Sequence, residues 1–86
     1  MGAEDIVFYI GDLLHDESLG DVGILLERFD SHRDYVSQPP SRVSVWRTYW
    51  CKAGWEEYSE FGLQNLVAMD VFTCYSMYGG YKVKKI

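Results

Sequence analysis

Cysteine, proline, positive charge and long apolar runs are all scarce in this 86-residue chain, and each scarcity excludes something. Cys51 and Cys74 are the only cysteines. They show no Cys-x-x-Cys spacing and have no neighbouring histidine, which argues against a disulfide scaffold and against a zinc knuckle. They are read as two free or buried thiols of a protein in a reducing compartment. No apolar run approaches the ~18–20 residues of a membrane span, and no charged-then-apolar leader opens the chain. Met1-Gly2 begins like a myristoylation signal, but Ile6 stands where that signal needs Ser or Thr. A soluble, intracellular protein with no membrane partner is expected. Eight cations against thirteen acids give a net charge of −5, which opposes binding to long duplex nucleic acid. There is no repeat, low-complexity tract or linker, so residues 1–86 read as a single domain.

What the chain has in excess is apolar surface. Apolar residues make up 48% and aromatics 16%, yet a domain of this size buries only ~60–65% of what its unfolded chain exposes. Large apolar patches left outside mark interfaces, so copies of the chain are expected to cover one another. The charge is also uneven. Residues 1–34 hold nine acids and two arginines, whereas residues 42–86 hold six cations and four acids, with Lys82, Lys84 and Lys85 in an acid-free tail. A local basic edge on an acidic protein follows.

The pattern along the chain is a series of short apolar runs broken by turn residues. Ile6–Ile10 reads as a first strand, interrupted at Gly11-Asp12 and resumed at Leu13-Leu14, with a turn over His15–Asp21. Val22–Phe29 reads as a second strand, Gly23 weakening its helical alternative. Asp30–Ser41, carrying Pro39-Pro40, reads as a long polar loop. Val43–Trp50 is the clearest strand. Val43, Val45, Arg47 and Tyr49 lie on one of its faces, and Ser44, Trp46, Thr48 and Trp50 on the other. Lys52-Ala53-Gly54 is a turn and Trp55–Tyr58 a further strand. Ser59–Leu66 reads as a single capped helical turn, which Gly62 keeps short. Val71–Tyr78 alternates again, and Gly79-Gly80 supplies a tight hairpin into a last strand, Tyr81–Ile86. Five or six short strands with one helical turn predict a small antiparallel barrel. Its core is expected from Val7, Phe8, Leu13, Ile24, Leu26, Val43, Val45, Leu63, Leu66 and Val67.

Four segments follow one another in a familiar order: Tyr9-Ile10-Gly11-Asp12-Leu13-Leu14, Val22-Gly23-Ile24-Leu25-Leu26, Arg42-Val43-Ser44-Val45-Trp46 and Glu57-Tyr58-Ser59-Glu60-Phe61-Gly62-Leu63. Over roughly residues 9–66 this layout resembles small bacteriophage barrel proteins, and within them the Sm-like family of marine cyanophage origin. The resemblance implies an all-β fold, a strongly bent five-stranded antiparallel sheet whose open edges pair between subunits. It implies a homo-oligomeric ring, a pentamer, in the cytoplasm of the infected host cell. Rings of the wider family bind single-stranded RNA around a central pore. The chain departs from that family twice. Asp30–Ser41 contains no Asn where the family carries Asp and Asn, and Tyr78, not a cation, precedes Gly79-Gly80. The RNA-binding candidates by position are Tyr78, Gly79, Gly80, Lys82 and Lys84. The subunit-interface candidates are Val71, Phe72, Tyr75, Trp46 and Trp50, with Val71–Tyr78 as the first choice for the intersubunit edge.

Other motifs have blander readings. Asp30-Ser31-His32-Arg33-Asp34 holds the residue types of a hydrolase triad, but five consecutive residues do not supply its geometry. His15-Asp16-Glu17 offers too few convergent donors for zinc. Glu56, Glu57 and Glu60 have little cleft to work in for acid–base catalysis. No catalytic residue, metal or cofactor is expected. The aromatics are first core, then interface, then base-stacking platforms. Two functions follow: RNA binding by an Sm-like ring, or a phage structural or adaptor protein acting through protein contacts.

Overall fold

The computed structural model describes residues 1–33 and 41–86. The Pro39-Pro40 segment of the expected loop therefore lies outside the described residues, as does Asp34. Six strands form one sheet: β1 (Leu13–Asp16), β2 (Asp21–Arg33), β3 (Ser41–Trp50), β4 (Gly54–Ser59), β5 (Thr73–Ser76) and β6 (Val83–Lys85). Their order is β4-β3-β2-β1-β5-β6, and β4 and β6 do not pair with each other. The chain is thus mostly β, as expected, but the sheet has six strands, is open and is mixed. The closed five-stranded antiparallel barrel is not what forms.

The difference originates at the C-terminal end. β6 pairs with β5 in parallel, Cys74 opposite Val83 and Ser76 opposite Lys85. Gly79 (φ 66°), Gly80 (φ 140°) and Lys82 (φ 59°) all take positive φ, so the connection doubles back instead of making a hairpin. The usual parallel crossover needs a dozen residues or more, and left-handed backbone is what shortens this one. β5 consequently lies inside the sheet, between β1 and β6, and the expected intersubunit edge Val71–Tyr78 is not an edge.

At the other end of the chain, Ile6–Ile10 makes no strand. β5 occupies the free side of β1, so this segment runs as an extended strap after a 3-10 turn, Ala3–Asp5. It keeps its alternation: Ile6 and Phe8 are buried, while Val7, Tyr9 and Ile10 are exposed. The Gln64 side chain donates to the Ile6 carbonyl (2.9 Å), and Phe8 meets Trp46 edge to face (6.1 Å). The expected second strand runs on to Arg33, so Asp30–Arg33 is strand and not loop. A bulge between Leu25 and Glu27 leaves Leu26 as the extra residue. The bulge turns Leu25 into the core and Leu26 out to solvent.

The helix α1 (Glu60–Ala68) is longer than one turn. Ser59 caps it, its Oγ accepting from the Gly62 N–H (3.0 Å). A Cβ on Gly62 would sit 2.8 Å from that Oγ, so this glycine serves the cap and does not break the helix. Leu63 and Val67, one turn apart, are buried against the sheet. Asp70, just past the helix, takes φ 61° in the left-handed position that commonly ends helices.

One sheet face is covered by α1 and the strap. The core is Ile6, Phe8, Leu14, Leu25, Trp46, Trp50, Leu63, Val67, Phe72, Cys74 and Val83. Of the expected core, Phe8, Leu63 and Val67 belong to it, and Leu66 packs against it in part. Val45 is buried, but on the opposite face beside Phe29 and Ser59. Val7 and Leu26 are exposed, and Leu13, Ile24 and Val43 are only half-buried. Trp46, Trp50 and Phe72, expected at a subunit interface, are instead the centre of the protein's own core, because the Ser44–Trp50 face of β3 points toward α1.

Two positions on the covered face are tight. A Cβ on Gly23 would lie 2.8 Å from the Trp50 ring and 3.1 Å from Thr48 Cγ2. Thr48 Oγ1 is fully buried with no hydrogen-bond partner among the described residues. Gly23→Ala is therefore expected to destabilise by about 1–3 kcal/mol through overpacking. Thr48→Val removes an orphan hydroxyl at nearly constant shape and is expected to stabilise by about 1 kcal/mol. Urea unfolding of the two variants beside the parent chain checks both signs.

Candidate functional site

Among the described residues, the face of the sheet away from α1 carries no second layer. A lateral row crosses it strand by strand: Lys84 opposite Tyr75, Tyr75 opposite Leu13, Leu13 opposite Ile24, Ile24 opposite Tyr49, and Tyr49 opposite Trp55. Tyr49 and Trp55 meet edge to face at 5.1 Å, and Trp55 is 60% exposed. The Lys84 ammonium lies 5.9 Å from the Tyr75 ring centroid. A second row runs beside it, Glu27–Arg47–Glu57, with Arg47 2.8 Å from Glu27 and 3.0 Å from Glu57. Its hydrogen bond to Glu57 raises the Arg47 pKa further above an already high value, desolvation opposes this, and the charges of both carboxylates reinforce it. Arg47 also covers the Phe29 ring at 5.3 Å. This half of the face is therefore a satisfied ion-pair ladder, and the aromatic row is the part left without a partner.

The expected RNA-binding residues fall into two groups. Gly80, Lys82 and Lys84 border one cavity of ≈270 Å³, together with Asp70, Thr73 and Val67. Lys82 Nζ stands 3.6 Å from the exposed Asp70 carboxylate. Gly79 backs onto Lys85. Tyr78 does not line that cavity; it is exposed and stacks on Tyr9 at 4.5 Å between ring centroids. Of the expected interface residues, Val71 is exposed and Tyr75 half-buried in the open-face row, while Trp46, Trp50 and Phe72 are core.

The remaining motifs do not converge. Asp30 accepts from the Ser44 hydroxyl (3.1 Å). His15 and Asp16 point to opposite faces of β1. Glu60 accepts from the Trp46 indole (3.4 Å) and pairs with Arg28 (3.5 Å), tying the helix start to the sheet. Asp21, which no sequence motif singles out, is the better-built carboxylate. Burial alone would raise its pKa, but the backbone N–H groups of Lys52, Ala53 and Val22 outweigh that and hold it below the usual carboxylate value. The Lys52 and Ala53 bonds (2.9 and 3.0 Å) fasten the β1–β2 hairpin to the β3–β4 turn, and the Val22 bond (2.9 Å) is local to β2. In the same hairpin the Asp16-x-Ser18 spacing is a readable turn signal: Asp16 Oδ1 accepts from the Ser18 amide and hydroxyl, a local clamp.

Both thiols are free. Cys74 is fully buried, and burial, with a further push from the Asp12 charge, raises its pKa to about 12. Cys51 is exposed in the β3–β4 turn. Titration of the native chain with a thiol reagent at pH 8 is expected to modify one cysteine, Cys51, and to reach two only in denaturant; rapid native modification of Cys74 would contradict its burial in the core.

No family model matches the chain, and neither does any curated protein or solved structure.

Proposed function

We propose that the chain is a non-enzymatic, Sm-like subunit of a homo-oligomeric ring that binds single-stranded RNA in the phage-infected cell. The observation that carries the assembly half is the charge of the two open sheet edges. β4 carries Glu56 and Glu57 and no cation, whereas β6 carries Lys84 and Lys85, next to Lys82, and no acid. The strand order sets these edges at opposite ends of the sheet. A head-to-tail contact brings unlike charges together and satisfies unpaired backbone groups on both sides, and such a contact closes when its rotation divides a circle. The exposed aromatic row gives the assembly apolar area to cover. Fivefold closure rests on the resemblance alone.

The RNA half is supported by the cavity that gathers Gly80, Lys82, Lys84 and the Thr73 hydroxyl, since phosphate contacts come from lysines, hydroxyls and backbone. Ring symmetry would repeat the patch once per subunit. A second reading, a phage structural or adaptor protein, is favoured by the Glu27–Arg47–Glu57 ladder beside the aromatic row. A stacking platform for RNA is ordinarily flanked by free cations, and in this row the one arginine is already paired.

Light scattering coupled to gel filtration is expected to give a multiple of the 10.0 kDa protomer mass; a stable monomer at micromolar concentration would remove the ring. Titration with a short uridine-rich oligonucleotide is expected to show binding that weakens with salt and is lost in Lys82→Glu/Lys84→Glu. Binding to no oligonucleotide at low salt, from an intact oligomer, would leave the protein-contact reading.

A further inference from the structure

A second cavity, on the covered side of the sheet at its β1–β2 and β3–β4 turns, has a composition that the RNA reading does not use and that shares only Glu56 with the assembly reading. Its volume is ≈110 Å³, and its lining includes three aromatic rings, Trp50, Tyr58 and Phe72, and three carboxylates, Asp16, Asp21 and Glu56. Among the described residues no cationic side chain lines it. The rings are fixed against one another. Trp50 and Phe72 have centroids 5.0 Å apart at 56°, and Tyr58 and Phe72 5.8 Å apart at 78°. The Trp50 indole N–H donates to Tyr58 Oη at 3.0 Å. The elements holding them are β3, β4 and the segment between α1 and β5, so the site is assembled by the fold and was not visible as a sequence motif.

The carboxylates are not equivalent. Both Asp21 oxygens are taken up by backbone N–H groups. Asp16 is 8% exposed, and its Oδ1 accepts from Ser18 and Leu19, while no described residue donates to its Oδ2. Glu56 is exposed on β4, opposite Thr48 and on the same face as the cavity. The Tyr58 hydroxyl registers this field: burial raises its pKa, the Trp50 hydrogen bond opposes that, and the charges of Glu56 and Asp16 raise it again. The neighbouring cation, Lys52, directs its Nζ to the Leu19 carbonyl at 3.5 Å.

These features select a ligand class. Anions are repelled by three carboxylates. A metal ion needs several converging donors with free lone pairs, and among the described residues no three His, Cys, Asp or Glu side chains are placed to hold one. Aromatic rings beside Asp16 and Glu56, with the Lys52 charge acting on Asp21, suit a soft, weakly hydrated cation. The cavity is well below the ~300–1,000 Å³ of a site for a whole drug-sized ligand, and at ~30 Å³ per water it holds the volume of three to four waters. We infer that this pocket binds an organic ammonium group, a methylated amine headgroup seated against Trp50, Tyr58 and Phe72 with Asp16 and Glu56 as its counter-charges. The group can be carried by a free amine or by a methylated lysine of a peptide; the chemistry recognised is the same. The inference is independent of RNA binding; because Glu56 also lies on the β4 edge, the oligomeric state of Glu56→Gln is read beside its affinity.

The test titrates the full chain with tetramethylammonium chloride, with 2,2-dimethylpropanol as a neutral probe of similar shape, and with a short peptide bearing trimethyllysine, followed by amide NMR shifts and Trp fluorescence. The cation is expected to give saturable shifts confined to the residues around Asp16, Trp50, Glu56, Tyr58 and Phe72, at least about tenfold tighter than the neutral probe. Glu56→Gln, an exposed position, is expected to weaken the cation about threefold or more with an unchanged melting temperature. Peptide binding tighter than tetramethylammonium identifies a protein-borne lysine as the source, and equal binding identifies a free amine; both support the site. Equal affinity for the cation and the neutral probe, shifts spread over the surface, or full cation affinity in Glu56→Gln each overturn it.

Discussion

The indole of Trp50 lying on the bare backbone of Gly23 is the contact on which the rest of the structure depends. It lets β2 and β3 close at their register while an aromatic ring fills the space where a side chain would stand. From there the ring reaches Phe72 and Tyr58, and so joins the sheet to the segment that follows the helix. Asp21, two residues before Gly23, fastens the same corner with two backbone hydrogen bonds from the β3–β4 turn. Remove the close approach and β3 must move away from β2, which opens the core that Leu14, Leu25 and Leu63 complete.

Among the described residues the sheet is covered on one side only. One helix and one extended strap suffice for one face. The other face is left with an ion-pair ladder in one half and an unpartnered aromatic row in the next. Candidate functional surface on this protein is therefore divided among three places linked by shared residues: the open-face row and the lysine-bordered cavity at β6, which share Lys84, and the aromatic–carboxylate pocket at the two turns, which shares Phe72 with that cavity. The division follows from the strand order, which carries the acid-rich early part of the chain to the middle of the sheet and the basic tail to its rim.

Much of the strand content was legible because β3 and β4 are rich in β-branched and aromatic residues and bounded by turn chemistry at Lys52-Ala53-Gly54. The Ser59 cap was legible too. What was not legible depended on partners distant in sequence. Ile6–Ile10 has strand composition but no free sheet edge to join. Leu26 has core composition but falls on the bulge, a one-residue slip that periodicity does not reveal. Gly79-Gly80 has hairpin chemistry, yet the positive φ at Lys82 sends the chain into a parallel pairing. Trp46, Trp50 and Phe72 looked surplus to a small core, and they are that core; the exposed aromatics that remain include Tyr9, Tyr49, Trp55, Phe61 and Tyr78. The lysine cavity was half legible, through Gly80, Lys82 and Lys84. The aromatic–carboxylate pocket was not, since no spacing links Asp16, Trp50, Glu56, Tyr58 and Phe72.

The pairing of β1 with β5 has a kinetic implication. β1 through β4 form a meander of neighbours, each strand bonded to the next in sequence, and local pairings of this kind close small loops and form early. β5 joins β1 across nearly the whole length of the chain, Leu13 meeting Tyr75, so its docking bears the largest loop-closure entropy. The order of events is then a four-stranded meander first, with the helix, β5 and β6 sealing it afterwards. Until that last step, Leu14 and Trp50 lack Phe72, Cys74 and Val83 as neighbours, and the nascent sheet bares its core side while Ile24, Tyr49 and Trp55 lie beside the ion-pair ladder on the other.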